Sequence, residues 1–406
     1  MGRNVELVPG HSVVLLQGAQ ELFPALVRAM DGAAQSVRFE TYICDFTDSG
    51  ASIGEALERA ARRGVQVQLL VDGFGTGGLA TEWLERLRAA GVQYQVYAPL
   101  GPLGLLLPER WRRLHRKLCV VDGGLLFCGG INLLDDFHDP NHGRLEAPRL
   151  DFAVQVRGPI AAEASAAMQT VWWRMQAASA ARSSHLVQAR RALQAAQSAA
   201  GGVQGARPGA GTVRAALLLR DNLLNRTSIE RAYLRAIAQA RLEIIIANAY
   251  FVPGRRLRRA LVLAARRGVR VRLLLQGRYE YFLQYHAARP VYGSLLRAGV
   301  EIHEYAPSFL HAKVAVIDAE GTHPWATVGS SNLDPLSLLL AKEANVAVAD
   351  ADFAHHLRER LVHAMEHAGE RIDSATYAAR PWRERLLDRL AFALVRTALW
   401  LTGKTY

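Results

Sequence analysis

Two stretches decide the fold: residues 60–73, AARRGVQVQLLVDG, and residues 264–277, AARRGVRVRLLLQG. Both read the same way. A helix rich in Ala and Arg is stopped by Gly64 or Gly268, as a glycine just past a helix end does. Alternation then gives way to a continuous apolar run, the pattern of a strand entering a buried sheet. The likeness extends outward on both sides. RFETYI (38–43) matches IANAYF (246–251), and VQYQVYAP (92–99) matches VEIHEYAP (300–307). Order and spacing are kept, so the chain holds two copies of one unit. Residues 51–63 carry apolar positions at helical spacing. Residues 81–90 read as a further helix, stopped by Gly91 ahead of a strand at 92–97. Helices alternating with strands predict an α/β fold, a sheet covered by helices. The expected divisions are an N-terminal domain at 1–176, a linker at 177–212, a C-terminal domain at 213–380 and an amphipathic tail at 381–406. The linker is rich in Ala, Ser, Gln and Gly; its first part suits a helix, and 201–211 reads as flexible.

Composition narrows the function. The 406 residues are 50% hydrophobic and 21% charged, a globular balance with ample core. Net charge is +12, from 49 basic and 37 acidic residues. Such a surface suits nucleic acid or an anionic membrane, and charge alone does not choose. Only Lys117, Lys313, Lys342 and Lys404 are lysines; Arg has otherwise replaced Lys, as a coding bias would do. Three cysteines (Cys44, Cys119, Cys128) make no disulfide framework and fit a reduced, cytosolic setting. No Cys/His cluster has zinc spacing. The N-terminus carries no signal-peptide pattern. No run reaches the roughly 18 apolar residues of a membrane span, and the longest candidate, 390–401, is interrupted by Arg396.

The chemistry-bearing motif occurs once per copy. The first is His115-Arg-Lys117-Leu-Cys-Val-Val-Asp122, followed by Gly129-Gly130-Ile-Asn132. The second is His311-Ala-Lys313-Val-Ala-Val-Ile-Asp318, followed by Gly329-Ser330-Ser331-Asn332. In a strand, residues i and i+2 share a face, so His and Lys point together while the residue between them faces away. Two of the four lysines stand at equivalent places in these motifs. A compact ammonium with three donors suits a crowded phosphate better than a planar guanidinium fork.

These residues suggest metal-free phosphodiester transfer. One neutral histidine attacks phosphorus, giving a covalent phosphohistidine. The other, protonated, hands its proton to the leaving alcohol and takes one from the incoming alcohol. Lys117, Lys313, Asn132 and Asn332 stabilise the charge on the non-bridging oxygens. The two ammonium groups supply the charge that Mg²⁺ supplies elsewhere, so no metal or other cofactor is expected. Each copy contributes half of the site. Asp151 and Glu343, at matching places ahead of a further strand, are expected to orient the histidines. Asp122 and Asp318, at strand ends, read as structural.

Taken together, the duplicated motif and FETYI, AARRGV, GGIN, ANAYFVPG, VGSSNLDPLSL and EAN make this chain resemble the phospholipase D superfamily. Within it, the likeness is to the bacterial cardiolipin synthases, especially the shorter B form that lacks N-terminal transmembrane helices. The resemblance spans nearly the whole chain. It implies two similar α/β domains, each a mixed sheet flanked by helices, with the active site at their interface. The superfamily's six motif residues fall on His115, Lys117, Asp122, His311, Lys313 and Asp318. The implied reaction is phosphatidyl transfer between two phosphatidylglycerol molecules with release of glycerol. His115 is the expected nucleophile and His311 the acid and base, though the symmetry of the motifs does not itself decide. The second copy departs by a longer hairpin, ten residues between Asp318 and Gly329 against six between Asp122 and Gly129.

A lipid substrate calls for membrane contact, and an anionic membrane surface is the expected partner, with no nucleic acid. The expected location is peripheral, on the cytoplasmic face of the cell membrane. Residues 100–113, LGPLGLLLPERWRR, read as an apolar loop with a basic aromatic border or as a buried connection. The tail, 382–406, suits a membrane surface, a protein face or a second subunit. Residues 278–292, dense in Tyr and Arg, suit a headgroup or acyl pocket or an ordinary loop. The alternatives are a hydrolase of the same chemistry, acting on lipid or nucleic acid, and a noncatalytic binding protein with a relic site.

Overall fold

The structure, a computed structural model, describes residues 6–99, 101, 104, 112–201, 211–221, 225–278, 282–334 and 341–401. Most of the apolar stretch at 100–113 therefore lies outside the described residues.

The first copy is built from strands β1 (Val8–Gln17), β2 (Ser36–Thr41), β3 (Gln66–Asp72), β4 (Gln93–Tyr97), β5 (Lys117–Val121), β6 (Leu125–Gly129) and β7 (Phe152–Arg157). Their order in the sheet is β1-β7-β6-β5-β2-β3-β4. The strands β2, β3 and β4 run parallel, whereas β5, β6 and β7 alternate antiparallel. Helix α1 (Gly18–Asp31) leads from β1 to β2, and α2 (Ala51–Arg62) and α3 (Thr81–Ala90) make the connections that the parallel strands require. On α1, Leu22, Phe23, Leu26 and Met30 form a buried stripe. It packs in one core with Ile53 and Leu57 of α2 and with Phe39 and Leu69 of the sheet. Each such side chain contributes about 2 kcal/mol when fully buried. Helix α4 (Pro159–Arg182) begins inside the expected N-terminal domain and runs into the expected linker, where α5 (Leu186–Gly201) packs against it.

The second copy repeats the plan with β8 (Val213–Arg220), β9 (Glu243–Asn248), β10 (Arg270–Gln276), β11 (Glu301–Tyr305), β12 (Lys313–Ile317), β13 (Trp325–Gly329), β14 (Ala341–Ala349) and β15 (Gly369–Arg371). The order β15-β11-β10-β9-β12-β13-β14 again puts three parallel strands beside an antiparallel set. Its helices are α6 (Ser228–Gln239), α7 (Arg255–Arg266), α8 (Phe282–Leu296), α9 (Ala351–Ala368), α10 (Ser374–Ala378) and α11 (Trp382–Leu401). The stop glycines Gly64 and Gly268 adopt φ of +88° and +90°, a left-handed turn in which a side chain is strained.

Two expectations change. The divisions by chain order give way to an interleaved arrangement. By contacts, residues 7–135 and 153–217 form one compact unit, and 136–152 group with 218–406 in the other. The match of RFETYI to IANAYF is also off by one residue. Val37 pairs with Val67 and Val121 just as Ile244 pairs with Val271 and Ile317. Glu40 therefore answers to Ala247, Thr41 to Asn248 and Tyr42 to Ala249. The tail helix packs on α8: Asp388 bonds His286 Nδ1 at 2.7 Å and Arg380 at 3.1 Å. Its other side leaves Trp382, Leu386, Leu390 and Leu394 exposed at four-residue spacing.

The motif aspartates hold this scaffold. Asp122 accepts the backbone N–H groups of Ala34, Gln35 and Ser36 at 2.7–2.9 Å. Asp318 likewise accepts those of Arg241, Leu242 and Glu243. Each carboxylate thus ties the end of the motif strand to the entry of the neighbouring one, at φ of 49° and 50° respectively. Partial burial acts to raise the Asp122 carboxyl, but the three amide donors outweigh it and hold it below the ordinary value. A depressed carboxyl stabilises the fold above its unfolded value and loses that contribution as pH falls through its folded value. Asp122→Asn is expected to cost about 1 kcal/mol at pH 7, a modest figure because the group is exposed and screened. Urea unfolding across pH 7 to 3 checks this. The gap to the parent protein should close in acid, and a pH-independent gap would count against the ionic account.

Candidate active site

Each copy presents its histidine at the mouth of β5 or β12, with the lysine as the first residue of the strand. The strands themselves are buried throughout, so the side chains are set by a rigid element. Lys117 Nζ donates to the His115 carbonyl at 3.0 Å, and Lys313 Nζ donates to the His311 carbonyl. The ammonium therefore folds back beside its own histidine in both copies. Lys313 is fully buried and Lys117 nearly so, while both histidines keep partial exposure. In both copies a buried lysine thus lies beside a partly exposed histidine.

Asp151 accepts from His311 Nδ1 at 2.7 Å, from 160 residues away. With the carboxylate as acceptor, this places the ring proton on Nδ1. The histidine that Asp151 contacts is thus the one in the second motif. The neighbouring backbone completes the hold, since His311 and Ala312 both donate N–H to the Leu150 carbonyl. The match of Asp151 to Glu343 is visible in the register: Ala153 faces Gly129 as Asn345 faces Gly329. Glu343 is fully buried and accepts from the Ser330 hydroxyl. Gly329 is required there, because a Cβ would lie 2.3–2.4 Å from the Asn345 side chain and the Ala344 carbonyl.

The asparagines differ between copies. Asn132 Oδ1 accepts the Ile43 N–H at 3.2 Å. Asn332 Oδ1 is buried without a hydrogen-bond partner among the described residues. The aspartates Asp122 and Asp318 bind backbone, as described above, and so serve the strands rather than the reacting atoms.

Three features near the motifs were not foreseen. Arg116, the residue between His115 and Lys117, is buried against Glu40 at 2.7 Å, a pairing that carries its charge away from the motif face. Tyr42 lies edge-on to His115, centroids 4.8 Å apart, with Lys117 Nζ 5.3 Å above its ring. Arg220, 2% exposed, has no hydrogen-bond partner for its guanidinium among the described residues and sits in the field of Glu343 and Asp334. Burial pulls its pKa down and the two carboxylates oppose that pull. Arg116 could have been suspected from its place inside the motif. Nothing local marks Tyr42 or Arg220. Among the described residues no cluster of His, Cys, Asp or Glu has the arrangement of a metal site, and the three cysteines are buried and not joined in disulfides.

Known proteins carry the same plan. The family model described as "Cardiolipin synthase, PLD-like domain" matches residues 26–142 and 233–365, once per copy. Cardiolipin synthase B of Escherichia coli (strain K12) is 37% identical over 405 residues, covering 97% of this chain and 90% of that protein. Cardiolipin synthase of Geobacillus kaustophilus (strain HTA426) is 29% identical, covering 96% of this chain and 73% of that one. Among solved structures, the phosphatidylserine synthase of Haemophilus influenzae superposes with a TM-score of 0.64 at 12% identity, covering 98% of this chain and 97% of the other, a likeness of fold. Matched in both copies and along nearly its whole length, the chain belongs to the phospholipase D-like family of the cardiolipin synthases.

Proposed function

We propose that this protein transfers a phosphatidyl group from one phosphatidylglycerol to the headgroup hydroxyl of a second, forming cardiolipin and releasing glycerol. The observation that carries the reading is a duplicated histidine–lysine pair on buried strands, with His311 oriented by Asp151 at 2.7 Å. His115 Nε2 attacks phosphorus, and the bond from phosphorus to the glycerol oxygen breaks. His311 gives its Nε2 proton to that oxygen. The acceptor hydroxyl then returns a proton to His311 as its oxygen bonds phosphorus and the P–N bond to His115 breaks. Lys117 and Lys313 balance the phosphoryl charge, so the reaction needs no metal.

The surface supports a lipid substrate. Net charge is +12, and α11 exposes Trp382, Leu386, Leu390 and Leu394 beside Arg383, Arg385 and Arg389. An anionic bilayer suits both features. Among the described residues no helix is long and apolar enough to cross a membrane. In this reading the protein works peripherally, at the cytoplasmic face of the cell membrane.

Incubation with phosphatidylglycerol vesicles should give cardiolipin and glycerol in equal amounts, undiminished by EDTA. Phosphatidic acid as the sole product would replace transfer with hydrolysis. His115→Ala and His311→Ala should each abolish turnover, and quenched reactions with labelled lipid should leave the label on His115. Label on His311 would reverse the two roles. Asp151→Asn should lower kcat about 100-fold or more, the scale for removing a histidine's orienting carboxylate. Asp151→Glu should recover part of that loss, and a wild-type kcat in Asp151→Asn would remove Asp151 from the mechanism.

A further inference from the structure

The duplication is broken at one place beside the motif. In the first copy, Asp72 Oδ2 accepts the N–H of Leu114, the residue before His115. Its other oxygen accepts from Arg113, Phe74 and Gly75. In the second copy the equivalent residue is Gln276, and its Oε1 accepts the N–H of Leu310, the residue before His311. The structural task is the same, but a glutamine adds a donor. Gln276 Nε2 is buried and has no hydrogen-bond partner among the described residues. The second change is Tyr42 to Ala249. In the first copy the Tyr42 ring fills the strand end, close enough to Gly75 that a Cβ there would clash with it. In the second copy Ala249 leaves that space open.

The result is a small cleft at the carboxyl ends of β9 and β10, lined by Ala249, Tyr250, Gln276, Arg278, Tyr285 and Arg289 among others. Sheets of this kind bind ligands outside the carboxyl ends of parallel strands. Its walls flank His311: Gln276 holds Leu310, and the Ala249 N–H donates to the Ala312 carbonyl at 3.0 Å. Arg289 lies over Tyr285 at 4.5 Å and is paired with Glu304 at 3.0 Å. Arg278 lies over Phe309 at 5.4 Å.

We propose that this cleft binds the glycerol headgroup that leaves and the one that attacks, with Gln276 Nε2 donating to a glycerol hydroxyl. The inference rests on the phosphatidyl-transfer reading and goes beyond it by naming the cleft and the side-chain donor that hold the alcohol. An unpartnered amide donor suits the hydroxyl of an uncharged polyol. The Arg278 guanidinium disfavours choline or ethanolamine. In the transfer step the bound glycerol hydroxyl attacks phosphorus, its proton passes to His311, and the P–N bond to His115 breaks.

The test uses the full-length protein and phosphatidyl-p-nitrophenol, whose leaving group carries no hydroxyls to be read. Release of nitrophenol reports formation of the enzyme intermediate. Added glycerol then competes with water, giving phosphatidylglycerol or phosphatidic acid. The ratio of these products per unit glycerol does not depend on how much active enzyme a variant retains. Gln276→Glu keeps the acceptor for Leu310 and removes the donor. It should lower the ratio about fivefold, the worth of one neutral hydrogen bond. Ala249→Tyr, which rebuilds the first-copy filling, should lower it further. The wild-type protein should prefer glycerol to choline as acceptor. A wild-type product ratio in both variants, or equal use of glycerol and choline, would overturn the cleft assignment and leave the transfer reading standing. Absence of nitrophenol release from the wild-type protein would instead overturn the transfer reading itself.

Discussion

The 2.7 Å bond from Asp151 to His311 Nδ1 is the constraint on which the site depends. An imidazole on a strand end has two tautomers and a free χ2 rotation. A carboxylate on Nδ1 removes both freedoms and leaves Nε2 to meet substrate. Asp151 can do this because it is itself immobile. It is 2% exposed and also accepts the Phe152 N–H, and the chain before it pairs with Leu310. The orienting group therefore arrives on the segment 136–152, which follows the first motif in sequence but packs with residues 218–406.

Positive charge is handled by the same economy of movement. Lys117 and Lys313 are buried and bonded to the carbonyls of their own histidines, so the proposed phosphate contacts would need no further side-chain ordering. Arginine fills nearly every other basic position, including the buried Arg116, whose fork is taken by Glu40. A planar group suits that carboxylate, and a compact ammonium suits the phosphoryl oxygens. The two basic residues of His-Arg-Lys are thus separated by chemistry as well as by strand alternation.

A duplicated chain can use its two halves alike as scaffold and differently as chemistry. The scaffold tasks repeat closely: Asp122 and Asp318 each bind three amides, and Gly64 and Gly268 share one backbone geometry. The differences gather at the strand ends next to the histidines. Tyr42 and Asp72 close the first copy, whereas Ala249 and Gln276 leave an open cleft in the second. Symmetric motifs cannot say which histidine faces an alcohol; asymmetric surroundings can.

What was legible in the sequence was local and periodic. The repeat and the helix-stopping glycines lie within short windows, and both hold in the structure. The match of Asp151 to Glu343 was also legible, because each precedes a strand at the same distance from its motif. Tertiary structure alone decided which histidine Asp151 serves, since that pairing spans 160 residues. It alone moved the alignment of RFETYI by one residue, because the shared tyrosine letters of Tyr42 and Tyr250 drew the match away from the backbone register. A strand's side chains change face with every residue, so that single step separates a filled site from an open one.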